Sequence, residues 1–250
     1  LVGQNDVRKT VMGRASRNPT EAEMRAMESI VDKAMRDGAV GMSTGLIYIP
    51  GTYSTTEEIV RLAKVAAKYN GVYASHMRDE GDSVVAAIEE ALYIGTAAKM
   101  PVQISHFKLS GQQNWGRSRE TLPLIINARK NGLDVTIDQY PYTASSTSLS
   151  TLMPDWVLAD GQDSIVARLS RPAVRKEVTD YMLARLAKRK LKHFSYPVVA
   201  YYAKDTTLNG KSIEEVNISS GKKHKAKQEA ETIIEMMEKG GASMVFHGMS

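Results

Sequence analysis

Apolar and polar residues follow each other along the chain with two periods, one typical of helices and one of strands. Over residues 20–37 the apolar positions recur at helical spacing, and Thr20 and Glu23 have the spacing of a capping box. A short apolar run at residues 39–43 then suits a buried strand. The same succession recurs further along, which predicts a fold built from repeated helix–strand units.

Further strand-like runs recur about every 30 residues, at residues 72–75, 102–105 and 135–137. Helical patterns separate them, including one around residues 119–131. Strands joined through helices pair in parallel, so the pattern predicts the α/β class. A doubly wound sheet and a (β/α)8 barrel both fit. Since no G-x-G-x-x-G or P-loop pattern follows any strand, the barrel is favoured.

The regular succession breaks after about residue 160. We interpret residues 1–160 as central βα units, residues 161–240 as an inserted basic α+β lobe, and residues 241–250 as the start of the resuming barrel. The later predicted elements are a basic helical stretch at 163–192, a strand at 196–202, a polar loop at 205–225, a helix at 226–239 and a strand at 244–246.

Positive charge is concentrated in this predicted lobe. The chain has 33 Lys and Arg residues against 28 Asp and Glu, a net charge of +5, and nine of the basic residues lie within residues 168–192. Such a stretch could support salt-dependent binding to phosphates in a nucleic-acid module. However, no aromatic interleaving, recognition-helix motif or zinc-finger spacing accompanies it. A solvated helix face explains the charge better, and no nucleic-acid partner is expected.

The composition excludes further classes of site. The chain has no cysteine, so it contains no disulfide, thiolate metal ligand or cysteine nucleophile. It has no apolar run of about 18 residues, and its N-terminus lacks the pattern of a signal peptide. We therefore expect a cytoplasmic location and no membrane partner.

Two histidines directly follow predicted strands at matching positions. His76 follows the strand at 72–75, and His106 follows the strand at 102–105. The carboxyl ends of neighbouring parallel strands meet at one edge of the sheet, where ligands and catalytic groups collect. Two neutral imidazoles in that arrangement are suitable zinc ligands, so the sequence predicts a metal site there.

Four other polar residues are weaker candidates. Asp138 stands at the end of the third of these strands, where it is either a third ligand or general base, or a carboxylate that binds loop backbone amides. His247 follows the last predicted strand, but its register with the other histidines cannot be read from the sequence. His193 and His224 lie within basic stretches and are predicted to be solvated.

A set of longer motifs occurs in the first part of the chain. The motifs are GMSTGLIY at 41–48 with PG at 50–51 and TEE at 56–58, SHMRDEG at 75–81, SHFK at 105–108 with NWGR at 114–117, and DQYPYTA at 138–144. In type and order they resemble those of the N-acyl-D-amino-acid deacylase (D-aminoacylase) family of metal-dependent amidohydrolases. The resemblance covers about residues 1–155 and is looser beyond them.

The resemblance implies a (β/α)8 TIM-like barrel, in which residues 1–160 would form about strands four to seven. It implies one or two zinc ions, with His76 and His106 as metal ligands from strands five and six. Lys108 would bind the α-carboxylate of the substrate, with Tyr140 hydrogen-bonding nearby. The implied reaction converts a small molecule, an N-acyl-D-amino acid, into a carboxylate and a free D-amino acid.

Three parts of the family pattern are absent from these residues. They are an H-x-H pair on the first strand, a cysteine ligand on an early strand and a proton-transferring aspartate on the last strand. The resemblance places the first two before Leu1 and the aspartate beyond Ser250, so no catalytic residue is assigned and the chain alone is expected to be inactive. A second hypothesis keeps the barrel and the metal but takes a cyclic or dipeptide-like amide as substrate. The acyl group, the preferred side chain and the oligomeric state stay open.

Overall fold

Five parallel strands form the sheet of the first half of the chain, and their order in the sheet is their order in the sequence. Their bounds are β1 Val2–Gly3, β2 Gly41–Gly45, β3 Val72–His76, β4 Val102–Ile104 and β5 Val135–Ile137. The structure is a computed structural model and describes residues 1–249. The predicted α/β class is confirmed.

Helices connect these strands. They are α1 Gln4–Met12, α2 Glu21–Arg36, α3 Thr56–Ala67, α4 Val84–Ala98 and α5 Ser118–Lys130. The capping box at the start of α2 is present: the Thr20 hydroxyl accepts from the Glu23 N–H at 3.2 Å, and the Glu23 carboxylate accepts from the Thr20 N–H at 2.7 Å. The first strand and α1 were not predicted, because β1 has only two residues and α1 has only three apolar residues, Val7, Val11 and Met12.

The sheet and its helices share one hydrophobic core. Met42, Tyr73 and Ile104 from the strands and Ile59 and Ile88 from the helices are all 0% exposed. Burying a side chain of this size stabilises the fold by about 1.5–3 kcal/mol relative to leaving it exposed. The core therefore fixes the strands whose carboxyl ends carry the candidate chemistry.

A buried ion pair ties α1 to α3. The Arg8 guanidinium, fully buried, donates to the Glu58 carboxylate. The same carboxylate accepts from Gln4 Nε2 at 3.1 Å and from the Ser54 hydroxyl at 3.0 Å. A buried carboxylate is tolerated only when it is paired and hydrogen-bonded in this way.

The second half of the chain forms a separate antiparallel sheet with four helices. The strands β6 Ala144–Ser148, β7 Pro197–Tyr201 and β8 Ser243–His247 have the order β6-β8-β7. The helices are α6 Gln162–Leu169, α7 Pro172–Lys188, α8 Ile213–Ser219 and α9 Ala226–Glu238. Among residues 1–249, no helix is long and apolar enough to cross a membrane.

The chain divides into two compact units, and the boundary differs from the predicted one. The sheet unit comprises Leu1–Ser110 and Asn114–Pro141, and the lobe comprises Gly111–Gln113 and the residues from Tyr142 onwards. The sequence pattern predicts this boundary near residue 160. Residues 142–160 join the lobe instead because β6, a polar strand without an apolar pattern, pairs with β8.

Three further elements of the lobe differ from the sequence analysis. The predicted helical stretch at 163–192 is two helices, because Pro172 starts α7 at its first turn. The predicted loop at 205–225 contains α8, whose capping box of Ser212 and Glu215 was overlooked. The last predicted strand is present as β8, but it pairs antiparallel with β6 and β7. That residues 241–250 are the start of the resuming barrel stays a prediction.

Candidate metal centre at the strand ends

The two histidines predicted as metal ligands lie side by side at the carboxyl edge of the parallel sheet. His76 is the last residue of β3, and His106 follows the end of β4. The parallel register places Ser75 opposite Ile104, so both histidines leave the sheet at the same edge. Their ring centroids are 4.3 Å apart, in an edge-to-face arrangement. The predicted proximity of the two imidazoles is confirmed.

The backbone at His106 is held in an unusual conformation. Its φ of 42° lies in the left-handed region, which few residues other than glycine adopt. Asp138 Oδ1 accepts a hydrogen bond from the His106 backbone N–H at 2.5 Å, and its Oδ2 accepts from Gln103 Nε2 at 2.8 Å. Of the two interpretations left open for Asp138, the contacts are those of a carboxylate that binds a loop amide.

A carboxylate that the sequence analysis did not single out completes the group. His76, Glu80 and His106 each offer one ligand atom, and these three atoms lie within 4.8 Å of one another. Glu80 Oε1 is 2.7 Å from His106 Nδ1, and the Glu80 side chain is 11% exposed. Its position four residues after His76, within the SHMRDEG motif, was the available signal.

The two residues predicted to bind substrate lie in the same group. Lys108 Nζ donates to Glu80 Oε1 at 2.5 Å and lies 2.9 Å from His106 Nδ1. It also lies 5.3 Å from the centroid of the Tyr140 ring. The Tyr140 and His106 ring centroids are 6.2 Å apart. The structure thus brings all four predicted site residues together in the sheet unit.

His76 is prepared to act as a neutral ligand. Burial lowers the pKa of its imidazole to about 4; the charge of Glu80 opposes this shift, and those of His106 and Lys108 add to it. The ring is therefore unprotonated at neutral pH. Its buried Nε2 has no hydrogen-bond partner within residues 1–249. A buried polar atom without a hydrogen bond destabilises the fold by about 1–3 kcal/mol. The unpaired nitrogen of His76 is therefore suited to bind a partner from outside the chain, such as a metal ion.

Burial also shifts the pKa values of the ionisable side chains around the two histidines. Burial alone would raise the pKa of Glu80, but the hydrogen bond from His106 and the charge of Lys108 bring it below its ordinary value. Burial lowers the pKa of Lys108, and Glu80 offsets part of that shift. Burial raises the pKa of Tyr140 to about 12, with the charge of Glu80 adding to the shift. The phenol therefore remains a hydrogen-bond donor.

The donor set fits a zinc ion. Imidazole nitrogens are ligands that zinc takes in hydrolytic sites, and a carboxylate that accepts a hydrogen bond from a ligating histidine, as Glu80 can from His106, is the usual outer partner of such a ligand. The unpartnered Nε2 of His76 supports the same interpretation. Tyr48, from the GMSTGLIY motif, lines this group, with its ring centroid 5.0 Å from that of His76.

The remaining histidines lie in the lobe. The prediction that His193 is solvated is wrong: its Nδ1 lies 2.6 Å from Oε1 of the fully buried Glu229. His224 is half exposed, but its Nε2 lies 2.5 Å from Glu214 Oε1. The basic sequence around both histidines gave no sign of these distant acidic partners. His247 ends β8, is exposed, and belongs to neither metal-ligand group among the described residues.

Three curated proteins of Alcaligenes xylosoxydans xylosoxydans are similar to the chain. D-aminoacylase is 43% identical over 190 residues, which are 76% of this chain and 38% of the relative. N-acyl-D-glutamate deacylase is 40% identical over 189 residues, 76% of this chain and 37% of the relative. N-acyl-D-aspartate deacylase is 43% identical over 150 residues, 60% of this chain and 30% of the relative. The chain spans about two fifths or less of their length. No family model matches it.

Solved structures match nearly the whole chain. A crystal structure of D-aminoacylase that defines a novel subset of amidohydrolases has a TM-score of 0.72 and 32% identity. N-acyl-D-glutamate deacylase from Bordetella bronchiseptica, complexed with zinc and a phosphonate that mimics the tetrahedral intermediate, has a TM-score of 0.73 and 29% identity. A D-aminoacylase structure that addresses a binuclear metal centre has a TM-score of 0.71 and 31% identity. Each match covers 98% of this chain and 42% of the other.

Proposed function

Because the chain belongs to the D-aminoacylase family of the amidohydrolase superfamily, we propose that it supplies metal-binding strand ends to an enzyme that hydrolyses N-acyl-D-amino acids. Water cleaves the amide bond and gives a carboxylate and a free D-amino acid. The names of two relatives specify N-acyl-D-glutamate and N-acyl-D-aspartate, which are amides of this class. Their shared feature is a free α-carboxylate next to the scissile amide.

One observation carries the proposal: the imidazoles of His76 and His106 lie side by side, and the buried Nε2 of His76 has no hydrogen-bond partner within residues 1–249. These two residues would hold the zinc, as one ion or as part of a two-ion site. A bound zinc ion would supply an activated water and a Lewis acid for the amide carbonyl. Burial contributes by keeping His76 unprotonated at neutral pH, so that its lone pair is available.

Glu80 would act as a positioning residue for His106. With its carboxylate 2.7 Å from His106 Nδ1, it can accept a hydrogen bond from the Nδ1–H and so leave Nε2 with a free lone pair. Carboxylate partners of this kind fix the tautomer and the orientation of a metal-binding histidine. Asp138 would hold the backbone of the same residue through its bond to the His106 N–H.

Lys108 and Tyr140 would bind the α-carboxylate of the substrate. An ammonium group has three donor hydrogens, and on Lys108 Nζ the Glu80 carboxylate and the His106 carbonyl, the latter at 3.2 Å, accept two of them. The third hydrogen and the Tyr140 hydroxyl, whose pKa is raised to about 12, would donate to an anionic group. No residue of the chain is assigned the proton transfer.

The proposal is tested on the product of the gene that contains these residues. The zinc-loaded protein is assayed for release of free amino acid from N-acetyl-D-methionine, N-acetyl-L-methionine, a dipeptide and a cyclic amide. We expect hydrolysis of the D-substrate alone, its loss after chelation, and its return with zinc. Lys108→Met should raise KM for the D-substrate more than it lowers kcat, whereas Lys64→Met, at an exposed site on α3, should change neither.

Two results would overturn the proposal. Absence of D-substrate hydrolysis in folded, zinc-saturated protein would remove the activity. Preference for the cyclic amide or the dipeptide would instead support the second hypothesis and leave Lys108 without its proposed role.

A further inference from the structure

We propose that the lobe contains a second metal site, a structural zinc site formed by His193, Glu214, His224 and Glu229. Each residue offers one ligand atom, and all four atoms lie within 4.8 Å of one another. The site lies wholly within the lobe and is independent of the proposed function. It has a different ligand set from the group at the strand ends.

Four separate segments supply the ligands. His193 lies between α7 and β7, Glu214 in the first turn of α8, His224 between α8 and α9, and Glu229 near the start of α9. The segment before His224 is fixed by the buried Asn217, whose Nδ2 donates to the Lys223 carbonyl at 3.0 Å. A metal at this point would join the segment before β7 to α8 and α9, which follow it in the chain.

The four groups are already arranged in two close pairs. His193 Nδ1 is 2.6 Å from Glu229 Oε1, and His224 Nε2 is 2.5 Å from Glu214 Oε1. The pairs are linked, because His193 Nδ1 is also 3.8 Å from Glu214 Oε1 and the two imidazole rings stack with centroids 4.1 Å apart. Two independent histidine–carboxylate pairs would not need to lie in contact with each other. A cation bound by both pairs explains why they do.

The charge of the group favours a divalent cation. Both carboxylates have imidazoles as their ion-pair partners, and an imidazole is charged only when protonated. The Glu229 side chain is 0% exposed, where an uncompensated carboxylate is costly. One divalent ion would balance both carboxylates while both imidazoles stay neutral.

Glu229 is also held in place as metal ligands usually are. Its Oε2, which is not the oxygen that contacts His193, accepts a hydrogen bond from the Phe194 backbone N–H at 2.7 Å. A hydrogen bond of this kind orients a ligating carboxylate and leaves the other oxygen available. It also connects the site to the chain that leads into β7.

The ligand types indicate zinc and a structural role. Two imidazole nitrogens with two carboxylate oxygens suit zinc and its neighbours in the first transition series, whereas calcium and magnesium prefer all-oxygen sets. Four protein ligands fill a tetrahedral zinc site and leave no position for substrate. The ion would therefore link α8, α9 and the segment before β7 without taking part in hydrolysis.

The test counts zinc in a chain that lacks the strand-end imidazoles. In the His76→Ala/His106→Ala variant we expect one zinc per chain after desalting, and a rise in Tm on adding zinc. Adding Glu214→Gln should weaken zinc binding by about 100-fold, because losing a ligand costs at least as much as losing an outer partner. Adding His247→Ala, the one histidine outside both groups, should change neither result. Cobalt should give the visible absorption of a tetrahedral site.

Two results would overturn the site. One is a folded double variant that holds no zinc and shows no shift in Tm, which would leave only histidine–carboxylate hydrogen bonds. The other is zinc that Glu214→Gln and His224→Ala do not displace. If the double variant does not fold, Glu214→Gln in the unmodified chain provides the count: it should lower the zinc content by one per chain, and an unchanged content would contradict the proposal.

Discussion

The two histidine–glutamate groups of this chain are built in different ways. At the strand ends, His76 and His106 leave neighbouring parallel strands at matching positions, and the sheet register alone brings them together. In the lobe, His193 and His224 lie in segments between elements, and helix starts bring their carboxylate partners to them. A sheet register repeats along the sequence and can be read from it. Contacts between loops and helix ends produce no periodic pattern in the sequence.

The two groups also differ in whether their ligand atoms already have partners within the chain. At the strand ends Glu80 already contacts His106 and Lys108, the imidazole of His76 is neutral, and its buried Nε2 has no hydrogen-bond partner within residues 1–249. The lobe group offers four ligand atoms, all of them paired. An incomplete set with an open position suits catalysis, and a closed set suits structure. We therefore expect metal loss from the two groups to have separate consequences.

The largest expected effect is on activity at the strand ends. His106→Ala should lower kcat/KM for the D-substrate by about three orders of magnitude or more, because ligands of a hydrolytic metal act as a unit. For the same reason, adding His76→Ala should cost little beyond either single change. Steady-state kinetics on zinc-saturated variants of the gene product measures this. Two large and additive losses would contradict a shared ion.

Removing the positioning carboxylate should have a smaller effect. Glu80→Gln takes away the partner of His106 Nδ1 and of Lys108 Nζ, and we expect kcat/KM to fall by about 10–100-fold. Glu89→Gln, on an exposed position of α4, is the matched control and should leave the kinetics unchanged. Equal effects of the two changes would remove Glu80 from the site.

Much of the sheet unit could be predicted from the sequence. The period of apolar residues predicted α2, α5 and the strands at whose ends His76 and His106 stand, since each element buries one face in the core. Lys108 and Tyr140 came from the resemblance, and the structure places them beside His106. Their roles stay predictions.

The missed features share a physical cause. Glu80 stands in a loop, where no period marks which side chain turns toward the site. The polar strand β6 forms because β8 offers it a partner, and that pairing joins residues about 100 positions apart. His193 and Glu229 are likewise brought together only by tertiary packing. The capping box of α8 can be recognised from the local sequence. These long-range pairings cannot.

A packing change should affect the stability of the sheet unit. At Gly95 in α4, an added Cβ would lie 2.1 Å from Val102 Cγ2. Alanine favours a helix by about 1 kcal/mol over glycine, but the clash outweighs this, so Gly95→Ala should lower the free energy of unfolding by about 1–2 kcal/mol. Denaturant titration measures it. In a Val102→Ala background the same change should cost less, and an undiminished cost would rule out the clash.

The smallest expected effects on stability come from the helix capping boxes, of which each unit has one that can be removed. Thr20→Ala and Ser212→Ala each remove the hydroxyl of a capping box, which should cost about 1 kcal/mol. Amide hydrogen exchange should show faster opening of α2 in the first variant and of α8 in the second. Faster exchange in both units from one substitution would contradict their description as separate compact units.

The central claim is that His76 and His106 bind one metal ion between them. The direct measurement is anomalous scattering at the zinc edge from crystals of the zinc-loaded gene product. We predict an anomalous peak for a zinc ion that is bonded to one nitrogen of each imidazole, with Glu80 still next to His106 Nδ1. Absence of a peak between the two rings at full zinc loading, or His76 Nε2 bonded to a protein group instead, would contradict the account.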